Sequence, residues 1–142
     1  MKITNKNIKA QAIKLLNTKY KKNGITQYGC DCIGLVICII ISITNDHNVK
    51  AQLKNISSEI IKSKYAIMKM KIFWTMFQKI TRRDAAPGDI IITSSKSQPI
   101  HFGVLISKDT MIHADIASSK VCTSSIMQSE IRYYCRIRKN CI

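Results

Sequence analysis

The chain has 142 residues, of which 46% are hydrophobic, and its 23 basic and 8 acidic side chains give a formal net charge of +15. This length suits one domain over residues 1–142, and the hydrophobic content excludes a disordered chain. The positive field favours polyanionic partners: nucleic acid, an anionic membrane surface or an acidic wall polymer.

The first residues contain no uninterrupted apolar segment and no small-residue cleavage site. We therefore expect synthesis in the cytoplasm without a signal peptide. The longest apolar run, residues 33–43, is too short to cross a bilayer, so we expect no membrane span. Six cysteines in a chain without a secretion signal indicate reduced thiols rather than a disulfide framework.

Apolar residues at helical spacing dominate the first half of the chain. The predicted helical segments are residues 5–17, residues 33–43, and one or two helices within residues 57–81. Thr4 or Asn5 is placed to cap the first helix, and Asp31 is placed to cap the second. Residues 45–48 predict a polar loop, with His47 at the surface.

From residue 89 onward the pattern changes to short β-branched runs, which predict strands. These runs are residues 90–93, 100–106, 110–114, 121–126 and 131–137. In the last run Ile131, Tyr133 and Cys135 alternate with polar residues, as in a half-buried antiparallel strand. Helices followed by antiparallel strands predict a single α+β domain.

Cys32 lies where a glycine-containing loop meets the start of the apolar helix. Helix N-termini lower the pKa of a thiol, and their free N–H groups can stabilise an oxyanion. An isolated cysteine on an apolar helix is more often a buried structural residue. We expect Cys38 and Cys135 to be buried structural cysteines. Cys32 therefore needs partners before it can be considered a nucleophile.

His101 and His113 are candidates for these partners. They lie on consecutive predicted strands and are symmetric about Ser107 in the turn between the strands. A symmetric hairpin places the two histidines directly opposite each other, about 5 Å apart at Cβ. One imidazole could then orient the other, as the third member of a triad orients the base.

Four short motifs in this order resemble the NlpC-type cell-wall peptidase family, most closely its phage-associated branch. They are Gly-Cys-Asp-Cys-Ile-Gly-Leu-Val at 29–36, Pro-Gly-Asp-Ile at 87–90, His-Phe-Gly-Val-Leu-Ile at 101–106 and Met-Ile-His-Ala at 111–114. The resemblance extends over residues 18–138. It implies a papain-like fold, in which the nucleophile begins a central helix packed on a mostly antiparallel sheet of about five strands.

The resemblance also implies roles for individual residues. Cys32 would be the nucleophile, His101 the base and His113 the orienting third member. Tyr20 would line the oxyanion side, and Asp31 would meet a substrate amine. The implied activity is hydrolysis of peptide bonds in peptidoglycan stem peptides through a thioester, with no cofactor and no metal.

One departure from the family pattern concerns Ile33, because many members have serine directly after the nucleophile. The missing hydroxyl affects substrate contacts more than the reaction type. We expect a monomer that acts at the cell wall or periplasm, delivered by a phage-type particle or by lysis. Its partners would be the stem peptide and phage tail or other particle proteins, without specific nucleic-acid binding.

Three alternatives remain open. An amidase or acyltransferase on the same fold would share the thioester chemistry. A zinc site would use Cys30, Cys32, His101 and His113, although their spacing is unlike that usual for structural zinc. A basic nucleic-acid-binding module would fit the charge, but no helix-turn-helix, zinc-finger or RNA-binding signature is present.

Overall fold

The computed structural model describes residues 2–63, 66–95, 98–126 and 130–138. These residues form four α-helices, a short hairpin and a six-stranded antiparallel sheet. The helices are α1 (Asn5–Lys14), α2 (Cys32–Ile43), α3 (His47–Lys62) and α4 (Ala66–Met76). The strands are β1 (Ile25–Thr26), β2 (Gly29–Cys30), β3 (Phe77–Ile80), β4 (Ile90–Thr93), β5 (His101–Ser107), β6 (Thr110–Asp115), β7 (Lys120–Ser125) and β8 (Ile131–Ile137).

The large sheet has the strand order β3-β8-β4-β5-β6-β7, and β1 and β2 form the separate hairpin. Helix α2 packs on α1, on α3 and on strands β5 and β6. The predicted α+β architecture, with a central helix on an antiparallel sheet, is therefore confirmed. None of the helices in the described part of the chain is both long and apolar enough to traverse a bilayer.

Helix α2 is the centre of the core, and nine of its 12 residues are buried. The Asp31 side chain caps it by accepting a hydrogen bond from the Gly34 N–H at 2.8 Å, as predicted. Gly34 faces the Gly24 carbonyl so closely that a Cβ at this position would collide with it. The glycine therefore allows the loop that precedes the helix to pack directly against the first turn.

The middle of the chain differs from the prediction in two places. Helix α3 begins at His47, because the Asp46 carboxylate accepts hydrogen bonds from Asn48 N–H at 2.8 Å and Val49 N–H at 3.3 Å. The predicted loop is therefore shorter, although His47 is exposed as expected.

The second difference concerns residues 77–80, which form strand β3 instead of continuing a helix. This strand pairs with β8 through backbone hydrogen bonds that a helix could not supply. Phe73 and Phe77, which are four residues apart as on one face of a helix, nevertheless stack with their ring centroids 4.3 Å apart. Tyr65, assigned to the same helical region, lies outside the described residues.

The register of β5 and β6 also differs from the symmetric hairpin. A two-residue turn brings Ser107 opposite Thr110, and an irregularity after Leu105 then shifts the pairing, so that Val104 faces Ile112. His101 and His113 are therefore diagonal rather than directly opposite. Diagonal neighbours on one face remain within reach of ring side chains, so the two imidazoles still meet.

Asp89 connects three distant parts of the fold. Its carboxylate, 1% exposed, accepts hydrogen bonds from Asn5 Nδ2 at 2.9 Å and Ala86 N–H at 2.8 Å. Arg136 adds two more, from Nε at 2.8 Å and from Nη2 at 2.7 Å. Gly88 precedes it with φ of 95°, a left-handed conformation that favours glycine. The Pro-Gly-Asp motif is thus an anchor that joins α1, the turn and β8.

Candidate active site

Cys32 is the first residue of α2 and lies beside strand β5. The N–H groups of Cys32 and Ile33 belong to the first helical turn and have no carbonyl partner one turn earlier. Burial raises the pKa of the Cys32 thiol to about 11, although the backbone N–H groups of Phe102, Ile33 and Cys32 itself act to lower it. The expected lowering by the helix N-terminus is therefore present but is outweighed by desolvation.

The two histidines are buried and in direct contact. His101 is 4% exposed and His113 is 7% exposed, and His101 Nε2 lies 2.7 Å from His113 Nδ1. His113 Nε2 in turn lies 2.7 Å from Ser124 Oγ. A continuous series of hydrogen bonds therefore runs from His101 through His113 to Ser124, and these three residues are called the histidine relay below.

At the other end of this hydrogen-bonded series lies His101 Nδ1, which is buried and has no hydrogen-bond partner among the described residues. Burial lowers the pKa of His101 to about 4, and His113 adds to this effect while Asp115 opposes it. At neutral pH the imidazole is therefore uncharged and able to accept a proton. The thiol it would take that proton from is close in the fold, since the N–H of the next residue, Phe102, acts on Cys32.

Tyr20 and Asp31 are both placed near the thiol. Burial raises the pKa of Tyr20 to about 12, with further contributions from Cys32, Asp31 and Cys30. The phenol therefore stays protonated and can donate a hydrogen bond. The Asp31 carboxylate already accepts two backbone hydrogen bonds, from Gly34 as the helix cap and from Asn23 at 2.8 Å.

A surface cavity of about 500 Å³ opens onto this group of residues. Its lining residues are Tyr20, Lys22, Asn23, Asp31, Cys32, Ile33, Gln98, Pro99, Ile100, Phe102 and Ile116. Cys32 is partly exposed there, so a substrate can reach the thiol. Ile33 gives the cavity an apolar wall next to the thiol.

The zinc set considered from the sequence does not come together in the described part of the chain. The potential metal ligands that do lie close to one another are His113, Asp115 and Cys122, with ligand atoms all within 4.8 Å. Cys30 is instead fully buried in the core. The four residues of that alternative therefore do not form one site among the described residues.

Ser124 is the site residue that the sequence reasoning missed. The sequence contains only part of the signal, since the strand period of two places Ser124 and Cys122 on the same face of β7. Whether this pair lies on the same face of the sheet as His113 depends on the register of β6 and β7, in which His113 is paired with Cys122. That register could not be derived from either strand alone.

Comparison with known proteins identifies relatives of this fold. The solved NlpC/p60 domain of the peptidoglycan hydrolase SagA matches with a TM-score of 0.62 at 16% identity, over 94% of this chain and 98% of that one. An N-acetylmuramoyl-L-alanine amidase from Bacteroides uniformis matches with a TM-score of 0.63 at 13% identity, over 95% and 99%. NlpC1 from Trichomonas vaginalis matches with a TM-score of 0.61 at 19% identity, over 94% and 43%, so this chain spans less than half of that protein.

The comparison with curated proteins gives no match. The model of the family described as "NlpC/P60 family", in contrast, matches residues 17–138, which is most of the chain and includes every residue of the cavity and of the histidine relay. The chain therefore belongs to the NlpC/P60 family.

Proposed function

We propose that this protein is a peptidoglycan hydrolase, a cysteine peptidase that cleaves stem peptides through a thioester on Cys32. The observation that carries the proposal is the buried Nδ1 of His101, to which no other group in the described part of the chain is hydrogen-bonded and which is one residue from the backbone N–H that acts on the Cys32 thiol. A buried acceptor without a partner costs free energy, so its presence in a folded protein calls for an explanation such as a catalytic role. The relatives described as a peptidoglycan hydrolase and a muramoyl-alanine amidase support the substrate class.

The proposed proton transfer requires a particular tautomer of each imidazole. A neutral imidazole has one N–H and one acceptor nitrogen. If His101 Nδ1 is to accept the thiol proton, its Nε2 carries hydrogen and donates to His113 Nδ1. His113 then carries hydrogen on Nε2 and donates to Ser124 Oγ. Ser124 is thus a positioning residue, whose hydroxyl oxygen accepts the His113 Nε2–H in the productive tautomer.

The reaction follows from this arrangement. His101 Nδ1 takes the proton of Cys32 as the sulfur attacks the amide carbonyl carbon, since burial disfavours a free thiolate or imidazolium formed alone. The oxyanion is stabilised by helix N–H groups and by the Tyr20 hydroxyl. The imidazolium gives its proton to the leaving amine, and water then hydrolyses the thioester.

A second candidate function is cleavage of the amide between muramic acid and the stem peptide. The amidase among the structural relatives favours it, because the same nucleophile and base would serve both bonds. In either case Asp31 would face a substrate amine from the edge of the cavity. Membership of the phage-associated branch, a monomeric state and delivery by a phage-type particle or by lysis also belong to the proposal.

Digestion of defined muropeptides followed by mass spectrometry tests the proposed function. We expect the purified protein to release fragments that result from hydrolysis of one amide bond. Cleavage within the stem peptide supports the peptidase assignment, and release of the intact stem from muramic acid supports the amidase. If neither product forms with a folded and reduced protein, the proposed activity is wrong.

Replacement of Ser124 by alanine is expected to lower kcat roughly 5-fold, because His113 Nε2–H loses a hydrogen bond worth about 1 kcal/mol. The ¹⁵N shifts of the imidazole rings should show a change of tautomer in His101 and His113. Ser124→Thr restores a hydroxyl and should recover most of the rate. Ser125→Ala is the matched control, because Ser125 is exposed on the same strand. Unchanged ring shifts in Ser124→Ala would contradict the relay.

A further inference from the structure

A second group of reactive side chains lies at Nε2 of His113, the ring nitrogen that does not face His101. His113 and Cys122 are directly paired across β6 and β7, and Asp115 lies two residues further along the same face. Cys122 Sγ is 3.9 Å from His113 Nε2, and the ligand atoms of all three residues lie within 4.8 Å of one another. Cys122 and Asp115 are partly exposed, so an ion can reach them from solvent.

The spacing of these atoms is close to that of a tetrahedral zinc site. Zinc bonds of about 2.0–2.3 Å place the ligand atoms roughly 3.3–3.7 Å apart, so the three side chains need to move by about 1 Å or less. Asp115 is already oriented, since it accepts hydrogen bonds from Ser118 Oγ at 2.7 Å and Ala117 N–H at 3.3 Å. Second-shell contacts of this kind are typical of metal sites.

We propose that His113, Asp115 and Cys122 form an inhibitory binding site for Zn²⁺. A thiolate, an imidazole and one carboxylate suit zinc better than Mg²⁺ or Ca²⁺, which prefer oxygen ligands. Binding releases the Cys122 thiol proton to solvent, and the fourth position is left to water or to Ser124 Oγ. The formal net charge of +15 repels cations at long range, so the affinity has to come from these short bonds.

Inhibition follows from the histidine relay and rests on the proposed function. Zinc on His113 Nε2 requires the ring hydrogen to lie on Nδ1, which then donates to His101 Nε2. His101 must in turn carry its own hydrogen on Nδ1, the atom that accepts the Cys32 proton. The metal therefore reverses the direction of both hydrogen bonds of the relay without contacting the Cys32 thiol.

Metal binding is tested on the full chain with Co²⁺ as the spectroscopic probe and Zn²⁺ as competitor. We expect one equivalent of Co²⁺ to produce a thiolate-to-cobalt charge-transfer band, which Zn²⁺ abolishes. Cys122→Ser should remove the band and weaken zinc binding by at least about 100-fold, since even outer-shell partners are worth 10–100-fold. Cys32→Ala should retain both the charge-transfer band and the zinc affinity of the wild type. Loss of the band in Cys32→Ala, or no binding by the wild type, would overturn the site.

Inhibition is tested as the ratio of rates with and without Zn²⁺ in each variant. We expect the wild type to be inhibited at the zinc concentration that saturates the site, and Cys122→Ser to be resistant at that concentration. Equal inhibition of both proteins would mean that zinc acts on Cys32 and would overturn the inhibitory role. A protein that binds zinc through Cys122 but cleaves no muropeptide would retain the metal site and refute the hydrolase instead.

Discussion

Replacement of Cys32 by alanine is expected to lower the rate of muropeptide cleavage by at least about 10⁴-fold, because it removes the sulfur that forms the thioester in the proposed mechanism. The side chain is small and lies at the start of a capped helix, so the fold should persist. The rate is measured by mass spectrometry with the muropeptide that the wild type cleaves. The far-ultraviolet circular dichroism spectrum checks that the variant is folded.

Cys30→Ala is the matched control for this experiment. Cys30 lies two residues earlier, but its side chain is fully buried, and burial raises the pKa of its thiol to about 12. It therefore stays protonated and away from the cavity, and its loss should leave kcat within a few-fold of the wild type. Substantial activity in Cys32→Ala, or inactivity of a folded Cys30→Ala, would show that the nucleophile has been assigned to the wrong cysteine.

The largest loss of stability is expected from Asp89→Ala. This substitution removes four accepted hydrogen bonds and leaves Arg136 without its carboxylate. Breaking a buried ion pair costs about 3–5 kcal/mol, and we expect the lower end because the Arg136 side chain is 37% exposed. A loss of about 3 kcal/mol should lower Tm by about 10 °C, measured by thermal unfolding.

Asp109→Ala serves as the control for Asp89, because Asp109 is an exposed residue in the β5–β6 turn. Its replacement should change the free energy of unfolding by no more than about 0.5 kcal/mol. Asp89→Asn keeps one acceptor oxygen and should fall between Asp89→Ala and the wild type. If Asp89→Ala melts at the same temperature as Asp109→Ala, the Pro-Gly-Asp motif does not anchor the fold.

The elements that could be predicted from the sequence are those that local patterns determine. Strands β4 and β8 have the bounds expected from their β-branched runs, and the Asp31 cap follows from the residue type before an apolar helix. Strand β3 could not be predicted, because its backbone pairs with β8, more than fifty residues later. The spacing of Phe73 and Phe77 is compatible both with a helix that continues through Phe77 and with a helix that ends before Phe77, so this spacing does not distinguish the two.

The geometry of the candidate active site also depends on tertiary contacts that local sequence patterns do not contain. The strand period placed His101 and His113 on one face, but the irregularity after Leu105 determines which atoms meet, and one residue of register cannot be derived from composition. The pKa of Cys32 depends on how completely the surrounding chain removes water, which the helix-start argument does not contain. Ser124 enters only through tertiary pairing, so the end of the relay becomes visible only in the folded chain.

The burial of helix α2 has a consequence for how this protein could change its substrate. The helix that carries Cys32 is enclosed on nearly every side, so it cannot shift without disrupting the core. Much of the cavity wall, in contrast, comes from surface segments such as residues 22–23 and 98–100. Reactivity and recognition are therefore separable, and directed evolution confined to those two segments could alter the choice of peptide while the reacting atoms keep their positions.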